Sequence, residues 1–213
     1  MNKITALTRG KKRENRVNVF LDGKFRFSLP EETAVTAGLR IDQELSPEQL
    51  SRLARAADYH RCLAAAQRYL SYRPRSESEL TSRLQHRGFG EETIQQVTQR
   101  LKTLGLVDDA AFARFWTENR EAFSPRSRWL LKAELQRKGL AAGIITTETT
   151  DIDEGESAYR AALGKARRLS GQDYADFRLR LASFLRRRGF GYEVIQTVVP
   201  RVWQEYQENN INA

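Results

Sequence analysis

Leu84-Gln85-His86-Arg87-Gly88-Phe89, Leu135-Gln136-Arg137-Lys138-Gly139-Leu140 and Leu185-Arg186-Arg187-Arg188-Gly189-Phe190 are three copies of one hexapeptide. Their glycines stand 51 and then 50 residues apart. Leu80, Leu131 and Leu181 keep one offset upstream, and Ile94, Ile145 and Ile195 keep another downstream. Each glycine falls where a helix must end in a left-handed residue, a conformation glycine reaches at little cost. The leucine four places before it and the Phe or Leu one place after it are the two side chains that touch in a Schellman ending. Each copy therefore predicts a helix of about four turns, a glycine stop, and a second helix carrying the aligned isoleucine.

A third helix precedes each pair, over 58–70, 108–119 and 156–169, with Tyr59 and Leu63, Phe112 and Trp116, and Tyr159 and Leu163 at helical spacing. Cap signals support the boundaries: Ser76 with Glu79, Asp108, Asp153 with Glu156, and Ser124-Pro125 as a further start. The reading is a mainly α fold of three tandem three-helix repeats, 58–107, 108–152 and 153–207. Stacked repeats of this size share interfaces and predict an elongated curved body. Residues 208–213 read as a disordered tail.

Residues 1–57 differ in character and predict a small α+β module. Val17-Asn18-Val19-Phe20-Leu21 and Phe25-Arg26-Phe27-Ser28-Leu29 flank Asp22-Gly23. Alternating runs on either side of Asp-Gly predict a β-hairpin with a type I′ turn. Val17, Val19 and Leu21 are expected on one face, and Phe25, Phe27 and Leu29 on one face of the next strand. Ile4-Thr5-Ala6-Leu7 and Leu39-Arg40-Ile41 are candidates for further strands. Pro30-Glu31-Glu32 opens a short helix stopped at Gly38, and Ser46-Pro47-Glu48-Gln49 opens another with a capping box.

The 213 residues carry 36 Lys+Arg against 27 Asp+Glu, a net charge of +9. The excess favours an anionic partner. It is spread as +4, +3, 0 and +2 over the module and the three repeats (the tail counted with the third). One cysteine and two histidines argue against disulfides and metal clusters, and neither a metal nor a cofactor is expected. There is no run of 18 apolar residues, no secretory leader pattern, no phosphate loop, no dinucleotide fingerprint and no nucleophile elbow. Asp108-Asp109 reads as a cap and a first-turn acid, Cys62 as a core residue, and His86 as a solvated residue at a helix end. A cytoplasmic non-enzyme is expected, without a membrane partner and acting as a monomer.

Two basic clusters stand out. Lys11, Lys12 and Arg13 lie with Arg9 and Arg16 beside the hairpin. On the helix over 173–188, Tyr174, Phe177, Leu181, Phe184 and Leu185 fill one arc. Arg180 and Arg187 share a stripe away from it, and Arg178 and Arg186 flank the arc on the other side. A basic residue or pair recurs at each helix end, as His86-Arg87, Arg137-Lys138 and Arg187-Arg188. The helix dipole explains those ends but not the extra arginines. Arg128 and Lys132, four apart, can reach an anion together. Trp129 and Leu130 take the places of Ser78 and Glu79, and read either as partner contacts or as packing.

Four motifs then resemble those of the RecX family, regulators of the bacterial recombinase RecA. They are Tyr69-Leu70-Ser71-Tyr72-Arg73-Pro74-Arg75-Ser76-Glu77-Ser78-Glu79-Leu80, Gly105-Leu106-Val107-Asp108-Asp109-Ala110-Ala111-Phe112-Ala113, Glu134-Leu135-Gln136-Arg137-Lys138-Gly139, and Phe184-Leu185-Arg186-Arg187-Arg188-Gly189-Phe190. They occur in order over about 60–207, and the first 55 residues resemble the N-terminal extension of longer members. Ser124-Pro125-Arg126-Ser127-Arg128 lacks the glycine many members carry there. Thr146-Thr147-Glu148-Thr149-Thr150 is a poor helix ending.

The resemblance implies a protein that binds in the groove of the RecA–single-stranded DNA filament. It implies inhibition of the filament's ATPase, strand-exchange and coprotease activities, with single- or double-stranded DNA as a possible direct partner. It brings no catalytic residues. The candidate contacts are the two basic clusters and the helix-end residues: Arg178, Arg180, Arg186, Arg187, Arg188, Arg128, Lys132, Arg137, Lys138, Arg87, Lys11, Lys12 and Arg13. The alternative is a direct nucleic-acid-binding protein with helix-turn-helix-like units. No helix sets out Asn, Gln and Arg at base-reading positions to support it.

Overall fold

The computed structural model describes residues 2–10, 15–169 and 173–211, with nothing to be said of the side chains of 208–211. Contacts divide the chain into two units: Met1–Arg73 with Glu79–Val107, and Pro74–Ser78 with Asp108–Ala213.

The first unit begins with an antiparallel sheet in the order β1 (Ile4–Arg9), β2 (Arg16–Leu21), β3 (Lys24–Pro30). Asp22 and Gly23 have φ of 48° and 78°, the pair of positive values a type I′ turn requires. The register slips between Val19, paired with Phe27, and Phe20, paired with Phe25. Arg26 is thus an extra residue on β3, and the slip moves Phe25 to the opposite face. Phe27 and Leu29 are buried as expected, but Phe25 is 57% exposed and meets Phe20 edge-on at 5.8 Å. The strand expected at Leu39-Arg40-Ile41 does not form. Asp42 turns the chain with a φ of 70°, and a single bridge joins Lys3 to Glu44.

α1 (Glu31–Thr36) is followed by α2 (Pro47–Leu70), entered through the expected capping box of Ser46 and Gln49. α2 runs unbroken through residue 57. Nothing between Glu48 and Leu70 is Gly or Pro, so no residue stops it. Leu53 and Ala57 pack on Ile4, Val19, Leu21, Phe27 and Leu29 of the sheet. Further along, Cys62 and Ala66 pack on Leu80 and Leu84 of α3 (Glu77–Gln85) and on Ile94, Val97 and Leu101 of α4 (Glu91–Thr103). One helix therefore serves two cores.

The second unit contains α5 (Asp109–Phe123), α6 (Arg128–Arg137), α7 (Ala142–Thr149), α8 (Glu154–Ala166), α9 (Tyr174–Arg187) and α10 (Tyr192–Ile211). Asp108, Asp153 and Asp173 cap α5, α8 and α9. Asp109 also accepts the Glu77 backbone N–H at 2.9 Å, so the acidic pair does helix-end work. Ser124, expected to open α6, closes α5 instead, and Ser127 caps α6 through the Leu130 N–H. The threonines of α7 hold its end by donating back to the helix, Thr149 to the Ile145 carbonyl and Thr150 to Thr146, each at 2.7 Å. The α10 backbone continues to Ile211, inside the stretch expected to be disordered, and 212–213 lie outside the described residues.

The three repeat glycines have φ of 78°, 82° and 86°. Each ending carries both Schellman bonds. Phe89 N–H donates to the Leu84 carbonyl, Leu140 to Leu135 and Phe190 to Leu185, while Gly88, Gly139 and Gly189 donate to residues 85, 136 and 186. In the second unit these endings are also joints. Ser76 Oγ donates to the Lys138 carbonyl at 2.7 Å, and the Ser127 N–H donates to the Arg188 carbonyl at 3.0 Å. Ser76 and Ser127 hold equivalent places four residues before Leu80 and Leu131. Replacing Ser127 by Ala removes the α6 cap, and chemical denaturation is expected to show a loss of about 1 kcal/mol.

Candidate functional site

α9 is amphipathic by construction. Phe177, Leu181 and Leu185 are fully buried against α8 and α10, with the rings of Trp203 and Tyr206 tilted against Phe177 at 4.8 and 5.4 Å. Burying each of these large side chains contributes roughly 1.5–3 kcal/mol, which fixes the rotation of the helix. Arg178, Arg180, Arg186 and Arg187 are left exposed.

Arg178 and Arg186 border a groove of about 520 Å³ between α9 and α10, lined also by Tyr174, Leu179, Tyr192 and Pro200. Leu179 and Tyr192 are large apolar side chains left 67% and 70% exposed among the described residues. Gln196 and Pro200 of α10 form part of the same wall. The groove thus offers an apolar strip and two guanidinium groups. Such a surface takes apolar side chains flanked by carboxylates. Arg180 and Arg187 are not among its lining residues.

The remaining candidates separate by structure. Arg188 is turned inward: its guanidinium donates to Ser124 Oγ at 2.9 Å and the Pro125 carbonyl at 3.0 Å, and covers the Phe184 ring. Burial, with Arg126 and Arg120 nearby, pushes its pKa down. Arg128 is half-buried, donating from its side chain to the Ile152 carbonyl and from its backbone to Glu154. It staples the second repeat to the third. Lys132 is half-buried. Arg137 is exposed and bonds the Ala133 carbonyl of its own helix, and Lys138 lies over the Trp116 ring at 4.9 Å. Trp129 is 70% exposed, which removes the packing reading for it. Arg87 is exposed in the first unit, and Lys11, Lys12 and Arg13 lie outside the described residues.

Sequence reasoning missed a charged centre in the second unit. Glu134, 7% exposed, accepts from Arg120 at 2.8 Å, from the Trp116 indole at 2.9 Å, and from Arg126. Burial alone would raise its pKa. The hydrogen bonds from Arg120 and Trp116 and the two positive charges together outweigh it and hold the carboxyl below its ordinary range. The available signal was that Glu134 is the one acid at a place held by Arg83 and Phe184 in the other repeats.

Among the described residues no cluster of three or more His, Cys, Asp or Glu is placed to hold a metal ion, and no helix is long and apolar enough to cross a membrane. Cys62 is fully buried, and burial pushes its thiol up to about 11.

Four family models match in order along the chain. The regulatory protein RecX N-terminal domain matches residues 2–46, and the first, second and third RecX three-helix domains match 62–101, 108–147 and 152–199. The chain belongs to the RecX family. A regulatory protein RecX of Clostridium perfringens (strain SM101 / Type A) is 28% identical over 98% of this chain and 100% of its own length. One from Lactobacillus delbrueckii subsp. bulgaricus is 32% identical over 69% of this chain and 54% of its own. A crystal structure of regulatory protein RecX is 25% identical, with a TM-score of 0.67 over 93% of this chain and 98% of that one. RecX from Lactobacillus salivarius, 24% identical over 68% of this chain and 96% of its own, shares the fold with a TM-score of 0.57. RecX relatives are named as regulatory proteins, and the mainly helical fold with three three-helix domains is that of the family.

Proposed function

We propose that this RecX family protein is a cytoplasmic, non-enzymatic regulator that binds in the groove of the RecA–single-stranded DNA filament. It inhibits the filament's ATPase, strand-exchange and coprotease activities. The observation that carries this reading is the arginine-bordered apolar groove on α9 and α10, an uncovered surface suited to a protein partner. Exposed Trp129 supports the same reading, since aromatic anchors dominate many interfaces. Linked repeats, each making modest contacts to successive protomers, gain avidity without a single strong site. The helix-turn-helix alternative gains no comparable support.

Magnitudes rank the contacts. Exposed ion pairs contribute about 0–1 kcal/mol each, whereas burying a Leu side chain contributes about 1.5–3 kcal/mol. Leu179→Ala is therefore expected to raise the concentration needed for half-inhibition of RecA ATPase about tenfold. Arg178→Ala/Arg186→Ala is expected to raise it severalfold and to make inhibition less sensitive to salt. ATPase titrations of the variants check both, and wild-type inhibition by both would remove the groove from the interface.

A further inference from the structure

A pocket of about 380 Å³ lies between α5 and α8, beside the end of α7. Five carboxylates line it: Glu121 of α5, Glu148 of α7, Asp151 after it, and Asp153 and Glu156 at the start of α8. The chain as a whole carries +9, so a cation has no general attraction to it, and this concavity is a local exception. Helix-end preference explains Asp153, whose side chain caps α8, and Glu156 in the first turn. It does not explain Asp151 or two oxygens on α5.

Those oxygens belong to Thr117 and Glu121, which line the pocket four residues apart and so on one face of α5. Thr117 is 8% exposed, and its Oγ1 is buried with no hydrogen-bond partner among the described residues. Glu121 Oε2 accepts from Ser157 Oγ at 2.6 Å and from Arg160 at 2.5 Å. Glu121 Oε1 is buried and has no partner among the described residues. Glu148 is paired with Arg114 at 3.0 Å, whereas Asp151 and Glu156 are exposed.

A buried oxygen of this kind is satisfied by a donor, and the surrounding acids favour a donor that carries positive charge. An ammonium group brings three N–H donors and the charge together. The pocket has room for more than one such group, since a water takes about 30 Å³. We infer that this pocket binds a small polyamine, one ammonium group on Thr117 Oγ1 and Glu121 Oε1 and the next beside Asp151 and Glu156. α5 lies in the second three-helix domain and α8 in the third, so the bound ligand ties the two together and stabilises the second unit. None of these residues lines the α9–α10 groove, and the inference stands apart from the proposed filament contacts.

The test uses the full chain without a recombinase. Spermidine is titrated calorimetrically, at fixed ionic strength, into wild type, into Asp151→Asn/Glu156→Gln, and into Glu91→Gln/Glu92→Gln, which removes equal charge from the first unit. The wild type is expected to bind saturably, and its urea midpoint, read by tryptophan fluorescence, to rise with spermidine. The Asp151→Asn/Glu156→Gln variant is expected to keep the wild-type midpoint without spermidine and to bind about tenfold more weakly. The Glu91→Gln/Glu92→Gln variant is expected to bind as wild type does. Thr117→Val is expected to leave the midpoint without spermidine unchanged or higher, because it deletes a buried hydroxyl that has no partner, and to weaken binding. No saturable binding to wild type, equal loss in the two double variants, or a midpoint raised as much by Mg²⁺ at the same ionic strength overturns the assignment. A lower midpoint in Thr117→Val without spermidine also overturns it, because the hydroxyl would then be bonded within the protein.

Discussion

Gly139→Ala is expected to destabilise the second unit by about 2–4 kcal/mol. The left-handed φ of 82° accounts for roughly 1 kcal/mol of this. The larger part is steric. A Cβ at Gly139 would overlap Ser78 Cβ and stand 2.6 Å from its Oγ, and forcing apart a packed contact costs about 1–3 kcal/mol. Gly189 is similar, its Cβ overlapping Ser127 Oγ and standing 3.1 Å from Leu130 Cβ. Gly88 has the same conformation but nothing within 4 Å, so Gly88→Ala is expected to cost only about 1 kcal/mol. The three tryptophans, 116, 129 and 203, are all in the second unit. Urea unfolding followed by their fluorescence therefore reads Gly139→Ala and Gly189→Ala, and circular dichroism reads Gly88→Ala. Ser78→Gly is expected to recover much of the Gly139→Ala loss. Equal costs at all three glycines would mean that conformation alone sets them.

Glu134→Ala is expected to cost about 2–4 kcal/mol. Removing one partner of a buried ion pair typically costs about 3–5 kcal/mol, and the partial exposure of Arg120 and Arg126, 24% and 30%, lowers the figure. The variant leaves those two guanidinium groups, with Arg188 nearby, without their shared carboxylate. The same centre gives a pH dependence. The folded carboxyl lies below the ordinary 4.5, so its contribution is complete above that value and is lost as the pH falls through the lower, folded value. Wild type is thus expected to lose stability below about pH 4.5, with Trp116 fluorescence reporting because its indole donates to Glu134. Glu134→Gln is expected to flatten this part of the profile. A profile unchanged in Glu134→Gln would move the acid sensitivity to other carboxylates.

The glycine endings were legible because only one residue type takes that backbone conformation cheaply, so three copies at even spacing announce three helix ends. What they pack against was not legible. Ser78 approaches Gly139 from 61 positions away, a proximity that no local pattern encodes. The bulge that exposes Phe25 arises from a register slip, invisible to simple alternation. The continuity of α2 was missed because a change in composition near residue 58 resembled a boundary, although no helix breaker stands there. Arg188 looked like its exposed neighbours in sequence, but its partners Ser124 and Pro125 lie 64 and 63 residues earlier. Arg178 and Arg186 were readable as an arc beside the core. Their place in a groove depended on α10, whose Tyr192 and Pro200 complete it.

The central claim is that the chain acts by occupying a recombinase filament. Steady-state ATP hydrolysis by RecA on single-stranded DNA, titrated with this protein, tests it most directly. Hydrolysis is expected to fall as the protein is added, at concentrations below those of RecA itself, with Leu179→Ala acting only at about tenfold higher concentration. A rate that stays at its starting value up to equimolar protein, with nothing sedimenting alongside the filament, would contradict the account.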